Sequence, residues 1–71
     1  MEQIVIGKNI RKWRDFKGKK QASFAKEIGV SRVMLSRYEN GRSKISLEHL
    51  NKIAISLGVD ISDLIKEDKR A

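Results

Sequence analysis

Four glycines, Gly18, Gly29, Gly41 and Gly58, cut the chain into segments of ten to seventeen residues, and within each segment apolar residues recur at helical spacing. No other feature limits the fold as much, because glycine just past a periodic run suits the left-handed conformation that ends a helix. Ile6, Ile10 and Trp13 form one stripe on a first helix ending near Lys17-Gly18. Phe24 and Ile28 mark a second helix over residues 21–28, and Leu35 and Tyr38 a third over residues 32–40. Leu47, Leu50, Ile53, Ala54 and Leu57 give a wide stripe on a fourth, and Ile61, Leu64 and Ile65 a final turn or two. Ser31, Ser46 and Asp60 each stand just before a run, where a short oxygen acceptor caps a helix. Only residues 3–7 alternate with period two, too briefly for a strand, and residues 66–71 read as a frayed polar tail.

None of these helices is long enough to be stable alone, so they must pack together. The expected core is Ile10, Trp13, Phe24, Ile28, Val30, Leu35, Tyr38, Leu50, Ile53, Ala54 and Leu57, which makes a compact all-α bundle of five helices in one domain over residues 1–65. A chain of 71 residues buries only about 60% of its extended surface, so that core is thin. With no cysteine and a single histidine, His49, read as a surface residue of the fourth helix, neither a metal site nor another cofactor is expected. No apolar run exceeds three residues, the length of Ile4-Val5-Ile6, which is too short for a membrane span or signal peptide, and a cytoplasmic protein is expected.

The charge is strongly basic and unevenly spread. The formal net charge is +7, yet residues 7–44 alone hold twelve basic and three acidic side chains. Solubility would account for the total but does not require the segregation, which suggests a face built for a polyanion.

Residues 21–40, QASFAKEIGVSRVMLSRYEN, sharpen that suggestion. Two helices meeting steeply need a small residue at their contact, supplied by Ala25, and a turn residue that accepts positive φ, supplied by Gly29. Phe24, Ile28, Val30, Leu35 and Tyr38 fill the inner faces. Ser31, Arg32, Val33, Ser36, Arg37 and Asn40 are left to point outward from the third helix, the surface a recognition helix offers to a major groove.

The full set of spaced residues is Ile10-Arg11-x-Trp13-Arg14 with Lys17-Gly18, Gln21-x-x-Phe24-Ala25-x-x-x-Gly29-Val30-Ser31, Leu35-Ser36-Arg37-Tyr38-Glu39-x-Gly41, and Ser46-Leu47-x-x-Leu50-x-x-Ile53-Ala54-x-x-Leu57-Gly58-Val59 with Leu64. Over residues 6–65 it resembles the helix–turn–helix of the phage Cro/repressor family, also called the xenobiotic-response-element family of bacterial regulators. The resemblance implies a lambda-repressor-like domain whose third helix enters the major groove, acting as a dimer on a palindromic operator in double-stranded DNA. It implies phosphate contact for Gln21, base-edge contact for Arg32, Val33 and Arg37, and backbone contact for Asn40. The chemistry agrees: an arginine donating two hydrogen bonds to guanine is worth about 1–3 kcal/mol of discrimination, and valine methyls suit a thymine methyl. Ser31 and Ser36 suit phosphate or base, and Lys19, Lys20, Arg42 and Lys44 the salt-sensitive share of affinity. The chain departs from the usual pattern at Lys19-Lys20, where an apolar anchor and an N-cap are expected, at Ile45 in place of proline, and at apolar Phe16 and Ile55.

Other readings compete at single residues. Asn40 equally suits a helix C-cap, and Glu39 suits an ion pair with Arg14 or Arg11 bracing the motif, because a carboxylate facing phosphate would be repelled. Ile55, Ile61 and Ile65 suggest a self-complementary dimer surface. Glu48, Asp60 and Asp63 fall where acidic residues favour helix N-termini, so they need no catalytic role, and no enzyme is expected. No membrane partner and no small-molecule ligand is expected. Phage repressors, restriction–modification controllers and antitoxins all fit, and the rival class is an antitoxin or other protein-interaction module that keeps only the fold.

Overall fold

The structure, a computed structural model, describes residues 2–67. Five α-helices follow one another: α1 (Gln3–Phe16), α2 (Gln21–Ile28), α3 (Arg32–Glu39), α4 (Leu47–Leu57) and α5 (Ile61–Ile65), and no strand occurs among the described residues. Residues 3–7, which alternate in sequence, are helical, and the Glu2 carboxylate caps them by accepting from the Ile4 N–H. Residues 68–71 of the expected tail lie outside the described residues.

The local signals act as the sequence suggests. Ser31 Oγ accepts from the Met34 N–H at 3.0 Å and Ser46 Oγ from the His49 N–H at 3.1 Å, so α3 and α4 each start at a capped turn. Lys20 precedes α2 without a side-chain cap. Gly29 closes α2 with φ +77°, and the Val30 N–H reaches back to the Ala25 carbonyl, which turns the chain sharply into α3.

The core comprises Ile6, Ile10, Phe24, Ala25, Ile28, Leu35, Tyr38, Ile45, Leu50, Ile53, Ala54, Leu57 and Leu64. Trp13 and Val30, expected inside it, sit half-buried at its edge. Leu47, expected in the α4 stripe, is 67% exposed. Ile45 takes the buried position instead, two residues earlier in the loop before α4, and its N–H donates to Gln3 Oε1 at 2.9 Å. His49, expected at the surface, is half-buried and shares a 2.7 Å hydrogen bond between its Nδ1 and Tyr38 Oη, tying α4 to α3. Burial raises the Tyr38 phenol above its usual pKa, so it stays protonated at neutral pH.

Two α1 residues that sequence reasoning missed set how the helices meet. Gly7 is buried where α1 crosses the end of α3 with no room for a side chain. Asn9 is buried, and its Nδ2 donates to the Leu64 carbonyl at 2.7 Å and the Lys66 carbonyl at 2.8 Å, so it holds the end of α5 on α1. Asn9→Ala strands those carbonyls. The expected cost is about 1–3 kcal/mol, read as faster amide exchange in α5 and a lower unfolding midpoint; unchanged exchange there would contradict this role.

Candidate nucleic-acid interface

The outer face of α3 carries the sequence-predicted set. Arg32, Val33 and Arg37 are exposed, Val33 to 71%, and Ser36 is half-buried between them. Together with Gln21 from the start of α2 they line one open recess. Eight residues make α3 about 12 Å long, comparable to the width of a B-DNA major groove.

Behind this face lies a buried ion pair. Arg14 Nε donates to Glu39 Oε2 at 2.6 Å and its Nη2 to Glu39 Oε1 at 3.2 Å, while Nη1 donates to the Lys19 carbonyl at 2.7 Å. Of the two partners proposed by sequence for Glu39, Arg14 is the one found; Arg11 lies 3.9 Å from Asp15 instead. The Arg14 side chain is 9% exposed and that of Glu39 3%. The hydrogen bonds to Glu39 hold the Arg14 guanidinium above its ordinary pKa, against the lowering effect of burial.

The pair reaches the outer face through one amide. Gln21 Nε2 donates to Glu39 Oε1 at 3.0 Å, and Gln21 Oε1 accepts from Arg32 Nε at 3.3 Å. Glu39 therefore orients the amide, its nitrogen inward and its oxygen toward Arg32, and the second Nε2 hydrogen remains for an external acceptor. At the other end of α3, Arg37 Nε donates to Ser43 Oγ at 2.7 Å and its Nη2 to the Arg42 carbonyl at 3.3 Å. Both arginines are thus exposed yet held at one edge by neighbouring polar groups.

The remaining candidates fall around this face. Ser31 is exposed with its Oγ occupied by the cap, and Asn40 Nδ2 donates to the Ser36 carbonyl at 2.8 Å, so the C-cap role foreseen for Asn40 is present. Lys20, Arg42 and Lys44 are exposed, while Lys19 bonds Glu27 at 3.1 Å. Away from it, Ile55 is 72% exposed and Ile65 is exposed, but Ile61 packs against the core. The ties at Gln21 and Ser43 escaped sequence reasoning. Their only trace there is a polar residue at the first position of α2 and a serine between two cations past α3.

Two short helices joined at a steep glycine turn, the second exposing a basic outer face, define a helix–turn–helix domain, a DNA-binding fold. The comparisons with known proteins agree. The helix-turn-helix family matches residues 10–64. The antitoxin PezA of Streptococcus pneumoniae is 43% identical over 65 residues, covering 92% of this chain and 41% of PezA. The control protein C.MunI of a Mycoplasma species is 36% identical over 66 residues, covering 92% of this chain and 89% of its own. The P22 c2 repressor, solved in complex with a synthetic operator, superposes with a TM-score of 0.82 at 30% identity, covering 90% of this chain and 97% of the repressor. The chain belongs to the helix-turn-helix family of the xenobiotic-response-element type, a family of DNA-binding transcriptional regulators. No helix among the described residues is long and apolar enough to cross a membrane.

Proposed function

We propose that this protein is a sequence-specific regulator that lays α3 in the major groove of double-stranded DNA and acts as a homodimer on a palindromic operator. The observation that carries the reading is the outer face of α3, where Arg32 and Arg37 stand exposed on a capped helix braced from behind by the Arg14–Glu39 pair. Arg32, Val33, Ser36 and Arg37 contact bases. Gln21, Ser31, Lys20, Asn40, Arg42 and Lys44 contact phosphates and set the register on the duplex.

Size supports the dimer. The described residues extend 30 Å along their longest axis and present one α3, whereas half-sites one helical turn apart lie about 34 Å from each other. Ile55 and Ile65, exposed on α4 and α5, mark the surface where a second copy packs. The match to PezA covers less than half of that protein, so it supports the shared domain and does not bring antitoxin activity to this chain.

Selection of bound sequences from random duplexes tests the reading. A palindromic consensus is expected, with affinity falling steeply as salt rises. Arg32→Ala should relax one symmetric pair of positions by about 5- to 150-fold, corresponding to about 1–3 kcal/mol for a bidentate base contact. Lys20→Ala should weaken all sequences alike and reduce the salt slope by about one. Binding without sequence preference, or a monomer by sedimentation on operator DNA, would overturn the corresponding part.

A further inference from the structure

Arginine offers two hydrogen-bonding edges: a side edge formed by Nε and one terminal nitrogen, and an end edge formed by the two terminal nitrogens. In Arg37 the side edge is already occupied. Its Nε donates to Ser43 Oγ at 2.7 Å and its Nη2 to the Arg42 carbonyl at 3.3 Å. Both bonds run to the loop after α3, and neither uses Nη1.

That loop is itself fastened on both sides of Ser43. The Arg42 N–H donates to the Arg37 carbonyl at 2.9 Å, and the Gly41 N–H to the Tyr38 carbonyl at 3.1 Å, with Gly41 at φ +68°. Two residues beyond Ser43, the Ile45 side chain is buried in the core and its N–H is bonded to Gln3. The backbone that presents the Ser43 hydroxyl to Arg37 is therefore held on both sides by the fold.

We propose that Ser43, with the Arg42 carbonyl, is a positioning residue for base readout: it fixes the side edge of Arg37, so that the end edge, Nη1 with the second Nη2 hydrogen, reads guanine O6 and N7. This rests on the reading of Arg37 as a base-contacting residue. An unheld arginine must give up rotamer freedom on binding; the Ser43 bond removes part of that loss before DNA arrives. A serine outside the helix thereby governs the sharpness of discrimination at one base pair that it does not touch.

The test compares affinities for the selected consensus duplex and for duplexes substituted at each position. Arg37→Ala is expected to flatten the preference at one symmetric pair of positions. Ser43→Ala should lower the preference at that same pair by about two- to ten-fold and leave affinity for duplexes already substituted there nearly unchanged. Ser43→Thr, which keeps the hydroxyl, should restore the preference, and Ser43→Ala made in the Arg37→Ala background should change nothing at that pair. Uniform loss of affinity on every duplex would make Ser43 a phosphate contact and overturn the proposal. A lower melting temperature with the preference intact would make it a loop brace and also overturn it. In both cases a flattening by Arg37→Ala leaves the parent reading standing. If Arg37→Ala flattens no position, that reading fails and the proposal with it.

Discussion

Glu39→Ala is expected to lower stability by about 3–5 kcal/mol, the usual cost of removing one partner of a buried ion pair. For a domain of this size that is a drop of roughly 12–40 °C in the unfolding midpoint, followed by circular dichroism. The reason is geometric. Arg14 would keep its bond to the Lys19 carbonyl but lose two charge-assisted bonds in a place where its side chain is 9% exposed. Asp15 stands 3.4 Å from Arg14 Nη1, but its side chain is largely in water, so it cannot replace an acceptor on the buried side. Gln21 would lose its anchor as well, and Arg32 the fixed oxygen that it bonds. Replacing both charges, Arg14→Met with Glu39→Leu, should restore much of the stability, because two apolar side chains of similar volume need no compensation. A Glu39→Ala protein that melts within a few degrees of the parent would contradict this account. The double replacement separates two roles of the pair: if it refolds the domain yet weakens preference at the Arg32 positions, the carboxylate also serves to orient Gln21.

Gly7→Ala is expected to be destabilising by about 1–3 kcal/mol, with Gly7→Val costing more. The sign is the informative part. Within an exposed helix the same change normally stabilises by about 0.5–1 kcal/mol, because alanine has less freedom to lose. Here a Cβ would overlap the Tyr38 carbonyl oxygen and lie 2.7 Å from the Glu39 carbonyl oxygen. These are backbone atoms of the last turn of α3 and cannot swing aside as a side chain would. The two helices must move apart, which disturbs the Arg14–Glu39 pair beside the contact and tilts the face that carries Arg32 and Arg37. Denaturant unfolding reads the first effect and operator affinity the second. A Gly7→Ala protein more stable than the parent would show that α1 and α3 have slack at this crossing.

The sequence alone determined the five helices and the turn between α2 and α3. Each is written locally: apolar residues at three- and four-residue spacing, Ser31 and Ser46 as caps, Gly29 with positive φ. The outward set on α3 followed by subtraction, since Leu35 and Tyr38 had to face inward. Only the tertiary structure decided which polar groups meet. Arg14 and Arg11 lie one helical turn apart on α1, both far from Glu39 in sequence, and the crossing of α1 over α3 selects Arg14. The same crossing requires glycine at position 7, in a helix where nothing local marks it. Asn9 with the α5 carbonyls, Gln3 with Ile45, and Ile45 in place of Leu47 all join residues more than forty positions apart or depend on such a join. Hydrophobic periodicity reports which face of a helix is buried, because burial scales with apolar area and has no direction. Hydrogen bonds and ion pairs are directional and short, so their partners are fixed only when the packed helices bring named atoms within about 3 Å.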